Sequence, residues 1–74
     1  MTDQPRSAEL ATEIKTLAAR IKSAQRREAI LRRQGSERDA NALAAQTADM
    51  QRRLAMLRRE RKLVLAAERR GKDG

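Results

Sequence analysis

The sequence predicts an all-α fold, a two-helix antiparallel coiled-coil hairpin, and three observations lead to this prediction. Strong apolar residues recur at alternating spacings of three and four, Gly35 stands alone in mid-chain directly before a serine, and the charges of the two halves follow opposite gradients. Only 39% of the 74 residues are apolar, so such a hairpin has little surface to bury. We therefore expect oligomerisation or docking on a partner to complete the fold.

Each half of the chain has its own heptad seam. In the first half the seam positions are Leu10, Ile14, Leu17, Ile21, Ala24 and Leu31, with Glu28 where a further core residue is due. In the second half they are Ala40, Leu43, Thr47, Met50, Leu54, Leu57 and Val64, with Arg61 as a charged exception. One regular coiled coil would keep a single heptad register along its whole length. Here the register of the first half does not continue into the second half. The register therefore changes at Gly35-Ser36.

The stretch around Gly35 has the composition of a helix end followed by a helix start. Glycine is common just past a helix C-terminus because it accepts a positive φ angle. Ser36, with Asp39 three residues later, matches a capping box, in which a serine begins a helix and an acid reaches back to it. A tight turn is the favoured interpretation. One long helix with a stutter at Gly35 is the alternative that the sequence leaves open.

These signals divide a single domain into five segments. We predict a flexible N-terminal lead at 1–6, helix one at 7–34, a turn at 35–36, helix two at 37–70 and a flexible tail at 71–74. Ser7 suits the start of helix one because a serine caps the first turn, and Gly71 is typical of a helix stop.

The charge gradients favour an antiparallel arrangement of the two helices. Helix one begins with Glu9 and Glu13 and becomes strongly basic from Arg20 onward, whereas helix two begins mildly acidic and becomes basic from Arg52. If the chain folds at Gly35-Ser36, so that paired residue numbers sum to about 71, the acidic start of helix one approaches the basic end of helix two, and the basic end of helix one lies beside the alanine-rich, mildly acidic start of helix two. Each exposed pair contributes only about 0–1 kcal/mol, so the pattern argues for orientation and not for stability.

We expect the larger apolar residues of the two seams to form the interface with an oligomer or another partner, because they hold most of the area that the chain can bury. The predicted interface residues are Leu10, Ile14, Leu17, Ile21, Leu54, Leu57 and Val64.

The residue types of common catalytic sites are missing from this sequence. There is no histidine and no cysteine, and no serine or threonine stands beside a base in a spacing that activates a nucleophile. The acids are scattered among arginines, which is more typical of ion pairs than of metal ligands. We therefore predict no enzyme activity, no metal site and no cofactor. The lack of a long apolar run predicts no membrane partner and a cytoplasmic location, or a place within a virion for a structural component.

Arginine dominates a net charge of +8, much of it in doublets. Such a charge favours polyanionic partners, and arginine pairs with phosphate through two parallel hydrogen bonds. The predicted nucleic-acid-binding residues are Arg26, Arg27, Arg32, Arg33, Arg52, Arg53, Arg58 and Arg59. Because the chain has no aromatic residue on which bases could stack, we expect contact with the DNA or RNA backbone and little reading of sequence.

Two further interpretations accompany this prediction. Arginine is a good helix former whose stem covers apolar surface, so the same residues would also suit an ordinary solvated helix face. The alternative function is a small structural or adaptor component of a larger protein assembly, such as a phage virion or scaffold, without nucleic-acid contact. A short two-helix hairpin that can dimerise into a four-helix bundle is similar in architecture to small plasmid-encoded RNA-binding hairpin proteins and to small phage scaffold or virion components. That resemblance covers architecture alone.

Overall fold

The computed structural model describes residues 5–73, and their side chains from residue 5 to residue 71. Two helices, α1 at Arg6–Arg33 and α2 at Glu37–Asp73, account for nearly all of this part of the chain. They pack against each other in opposite directions as an elongated hairpin of 59 × 24 × 13 Å. The predicted all-α antiparallel hairpin is confirmed, and the alternative of one continuous helix does not form.

The helix ends differ slightly from the predicted boundaries. Helix α1 begins at Arg6, with Pro5 in an extended conformation before it, and the Pro5 carbonyl accepts hydrogen bonds from the backbone N–H groups of Ala8 (2.9 Å) and Glu9 (3.3 Å). Helix α2 continues three residues past the predicted end, through Gly71 to Asp73. Of the predicted N-terminal lead, residues 1–4 lie outside the described part of the chain, as does residue 74 of the tail.

The turn is a compact helix-to-helix junction built on one left-handed residue. Gly35 has a φ angle of +80°. Its N–H donates to the Arg32 carbonyl (3.2 Å), and the Ser36 N–H donates to the Leu31 carbonyl (2.9 Å), which is the Schellman pattern that closes a helix at a glycine. The Ser36 carbonyl then accepts the Ala40 N–H at 3.0 Å as the first bond of α2. Three residues therefore separate the two helices.

The two heptad seams face each other along the whole hairpin. In α1 the seam comprises Ser7, Leu10, Ile14, Leu17, Ile21, Ala24, Glu28 and Leu31, and in α2 it comprises Ala40, Leu43, Thr47, Met50, Leu54, Leu57, Arg61 and Val64; every one of them is buried or half-buried. The polar contacts between the helices pair Ser7 with Arg61 and Glu68 and pair Arg32 with Asn41, so their residue numbers sum to 68, 75 and 73. These sums agree with the predicted register of about 71.

The apolar core lies nearer the open end of the hairpin than the turn. Its buried members are Leu10, Leu17, Ile21, Leu54 and Leu57, and Ile14, Ala18, Met50 and Val64 pack against them. All seven residues predicted as an oligomer or partner interface thus belong to the contact between the two helices of one chain. Five of them are already buried there, and only Ile14 and Val64 keep partial exposure.

A group of polar side chains, which we call the open-end clasp, closes the seam opposite the turn. It consists of Ser7, Arg61 and Glu68. The Ser7 hydroxyl donates to Glu68 Oε2 at 2.7 Å, and the Ser7 backbone N–H donates to Glu68 Oε1 at 3.4 Å. Arg61 Nε donates to the Ser7 carbonyl at 3.4 Å. Glu68 therefore provides from α2 the cap that the first turn of α1 lacks locally.

Replacement of Gly35 tests the turn. Since a Cβ atom at residue 35 would meet no atom within 4 Å, the cost of Gly35→Ala comes from the backbone conformation alone, about 1–2 kcal/mol. We expect urea unfolding, followed by circular dichroism at a fixed protein concentration, to show a loss of that size. Gly71→Ala is the matched control: its surroundings are equally open but it lies within α2, so alanine is expected to stabilise the chain by up to about 1 kcal/mol. Equal effects of both variants would contradict this account.

Ser7→Ala tests the open-end clasp. The substitution removes the hydroxyl that bonds Glu68 from a side chain that is only 7% exposed, and leaves a carboxylate without its best partner. A loss of about 1–2 kcal/mol in the free energy of unfolding is expected from the same measurement. Ser23→Ala provides the comparison, because Ser23 is an exposed α1 residue and alanine is the better helix former. If both substitutions leave stability unchanged, the clasp contributes nothing.

Candidate nucleic-acid interface

The seam divides the rest of the hairpin into two broad faces and two outer edges. With Ser7 and Ala40 as position a of their heptads, positions e and b lie on one face, positions g and c on the other, and position f on the edges. Two observed contacts agree with this assignment. Arg6 and Glu60, both at g, form an ion pair at 3.4 Å across the helices, and Arg32 at e donates to Asn41 Oδ1 at b, at 3.3 Å.

The first face, which we call the basic face, carries almost only positive charge. Its charged residues are Lys15, Lys22, Arg32, Arg58, Lys62 and Arg69, with Glu37 as the single acid over residues 5–71. Six bases and one acid make a net charge of +5. From Arg32 near the turn to Arg69 at the open end, these charges extend over about 45 Å at 1.5 Å per residue.

The two outer edges add to this positive surface. Arg26 and Arg33 lie on the edge of α1, and Arg38, Arg52 and Arg59 lie on the edge of α2; no acid accompanies them at the edge positions between residues 5 and 71. The edges therefore contribute a further +5. The edges border both the basic face and the opposite face of the hairpin, so a ligand that follows the basic face also meets arginines on either side.

The opposite face, which we call the balanced face, has no net charge. Its bases are Arg6, Arg20, Arg27, Arg53 and Arg70, and its acids are Glu9, Glu13, Asp39, Asp49 and Glu60. Hydrogen bonding to Glu9, helped by Glu60, raises the pKa of Arg6 above its usual value.

Lys15, assigned above to the basic face, also borders a groove on the balanced face. If Lys15 is assigned to the balanced face, the net charges become +4 on the basic face and +1 on the balanced face, and the contrast between the faces remains.

The eight arginines predicted to bind nucleic acid do not converge on one surface. All are exposed. Arg32 and Arg58 lie on the basic face; Arg26, Arg33, Arg52 and Arg59 lie on the edges; Arg27 and Arg53 lie on the balanced face. Lys22, Lys62 and Arg69, which are not among these eight residues, lie on the basic face with Arg32 and Arg58. Their heptad position identifies them, because the number of residues between a side chain and the nearest seam residue determines the face on which that side chain lies.

Most of the predicted arginines have no acidic partner among the described residues. Arg32 Nε is 3.2 Å from Glu28 Oε2, and Arg52 pairs with Asp49. The other six lie beyond ion-pair distance of any carboxylate in the described part of the chain. Their guanidinium groups therefore keep donors available for an external anion, and arginine binds phosphate well through two parallel donors.

Small side chains separate the basic rows. Between them the basic face presents Ala11, Ala18 and Ala44, all half-buried, together with exposed Gln25 and Gln51. The alanines keep the face low at these three positions, and the glutamine amides offer further hydrogen-bond donors beside the basic side chains.

Comparison with known proteins assigns no role to the candidate interface. Comparison with protein-family models, with curated proteins and with solved structures finds no match. Over the described residues, no group of three His, Cys, Asp or Glu side chains is placed to hold a metal ion. Neither α1 nor α2, as far as they are described, combines the length and the hydropathy that crossing a bilayer requires.

Proposed function

We propose that this chain is a non-enzymatic helical hairpin that binds the backbone of DNA or RNA through its basic face and the adjoining edges. The observation that carries the proposal is the uneven distribution of charge. Net charges of +5 on the basic face and +5 on the edges accompany a balanced face of zero. An evenly charged surface would need no explanation beyond solvation, whereas a one-sided surface favours one polyanionic ligand.

The binding chemistry follows from the residue types. Duplex DNA carries one charge per roughly 1.7 Å of its axis, and each phosphate neutralised by Lys or Arg releases condensed counterions. The arginines without an acidic partner among the described residues provide parallel donors, and the half-buried alanines of the basic face leave room for close approach. Without aromatic side chains the face offers no platform for base stacking. The expected mode is contact with phosphates that is tolerant of sequence and steeply dependent on salt.

A structural or adaptor role in a larger protein assembly, such as a phage virion or scaffold, is the second candidate function. Exposed apolar residues favour it, since Ile30, Met56 and Leu63 are each more than half exposed in an otherwise polar surface. In this role the arginines meet acidic protein surfaces and no nucleic acid binds. The 260/280 nm absorbance ratio of the purified chain separates the candidates cheaply, because the protein has neither Trp nor Tyr to mask bound nucleic acid.

A triple substitution tests the basic face. We expect Lys22→Gln, Arg58→Gln and Lys62→Gln together to weaken binding to a generic duplex, because three exposed phosphate partners are lost. The slope of log affinity against log salt, measured by fluorescence anisotropy, should become shallower by about 0.9 for each contact removed.

The matched control removes three charges from the balanced face. Arg20→Gln, Arg27→Gln and Arg53→Gln change the net charge by the same amount and are also exposed, but they are expected to leave the salt slope nearly unchanged. Helicity is monitored for both variants by circular dichroism. An equal loss in the two variants would mean that total charge, and not the basic face, determines binding. No duplex binding by the unmodified chain at low salt would exclude the proposed function.

A further inference from the structure

We infer that the balanced face is the surface on which a second copy of this chain docks. The exposed apolar side chains give the first indication. Ile30, Met56 and Leu63 are 52%, 72% and 67% exposed, and all three occupy position c, on the balanced face. Leu65, the remaining large apolar residue exposed in the described chain, is 37% exposed and lies on the basic face. Hydrophobic surface left open by the hairpin is thus concentrated where net charge is zero.

The balanced face also has hollows that the side chains of a partner can fill. Two adjoining hollows of about 650 and 540 Å³ run along it between the helices, and they share Thr16, Arg20 and Met50. Apolar side chains from the seam line them, including Leu43 in one hollow and Leu57 in the other. Side chains of a docking helix could therefore enter between α1 and α2 and contact the margin of the existing core.

The charges of the balanced face are arranged to complement themselves. Near the turn, α1 contributes Arg20 and Arg27 while α2 contributes Asp39 and Asp49. Toward the open end the signs on α1 reverse, with two acids, Glu9 and Glu13, against Arg6; α2 there carries Arg53 and Arg70 against Glu60. The balanced face thus has four parts, one on each helix in the turn half and in the open-end half of the hairpin. These quarters are alternately positive and negative around the face. When two such faces meet about a twofold axis along the hairpin, positive quarters oppose negative ones.

This charge pattern favours a second copy of the chain over other proteins as the partner that docks on the balanced face. A strongly acidic or strongly basic partner gains no net attraction from a face of zero charge, whereas an identical face offers opposite charges at matching places. The basic face cannot serve the same purpose, because two copies would bring net charges of +5 together. Self-association on the balanced face keeps those charges apart.

The dimensions of the hairpin agree with a missing second layer. Domains normally bury a helix face between at least two layers, but this hairpin is a single layer only 13 Å thick. Its accessible surface is 6327 Å², against about 4,600 Å² for a compact monomer of its mass. The outline of 59 × 24 Å encloses about 1,400 Å², more than the roughly 800 Å² per partner of a standard interface.

Docking by this face places the two basic faces on opposite outer sides of the dimer. The inference stands independently of what those basic faces bind. It concerns a different surface and a different measurement from the proposed function, so either can fail alone.

Sedimentation equilibrium of the nuclease-treated full chain tests the inference. The unmodified chain is expected to form dimers with a dissociation constant below about 100 μM. Met56→Glu together with Leu63→Glu places two charges in the apolar part of the balanced face and should raise that constant by about tenfold or more, through burial of charge without a partner. Both side chains are largely exposed in the hairpin and glutamate is a good helix former, so helicity by circular dichroism should be retained.

Ala48→Glu together with Ala55→Glu is the matched control, since these exposed α2 residues lie on the basic face. Two glutamates there should leave the dimer intact. A chain that sediments as a monomer throughout the concentration range overturns the inference, and so does a control that dissociates as readily as the test variant. A change in duplex affinity without any change in sedimentation would bear on the proposed function alone.

Discussion

The register in which the two seams meet determines where every other side chain of this hairpin lies. Gly35, at φ +80°, reverses the chain within three residues, and paired positions then sum to about 71 from the turn to the open end. A heptad repeat places each residue at a defined angle from the seam. A slip of one helix along the other would mispair the seam residues, whereas rotation of one helix by one residue, about 100°, would carry charged residues into the core.

Polar residues within the seam reduce the apolar area that the two helices bury against each other. Glu28 and Arg61 occupy seam positions that leucine or isoleucine would fill with more buried area, and the buried Thr47 donates its hydroxyl to the Leu43 carbonyl of its own helix. The open-end clasp compensates in part, because the Ser7 hydroxyl and backbone both reach Glu68. No buried side-chain nitrogen or oxygen in the described chain is left without a partner. The hairpin is specific in its pairing but small in its core, with Leu10 the one large side chain that is fully buried.

A small core and a one-sided charge distribution have related consequences. A two-helix layer buries little of the surface that a compact protein of its mass would bury, so further association adds stability that the single chain lacks. The face free of net charge is available for that association. The face with excess positive charge resists it and remains open to a polyanion. One surface thus serves assembly in our proposal, and the other serves binding.

The sequence by itself favoured the helical hairpin, its turn and its approximate register, because heptad spacing, a lone glycine and opposed charge gradients are local or periodic signals, but it left one continuous helix open. It also indicated a polyanionic partner from net charge. It did not show that Arg27 and Arg53 face away from Arg32 and Arg58, or that Lys22, Lys62 and Arg69 join the latter pair. Those relations follow from the heptad position of each residue only once the two helices run antiparallel, so they rest on the tertiary pairing that excludes one continuous helix. The same pairing turned the predicted interface residues inward, since Leu17 and Leu54 are covered by the opposite helix of their own chain.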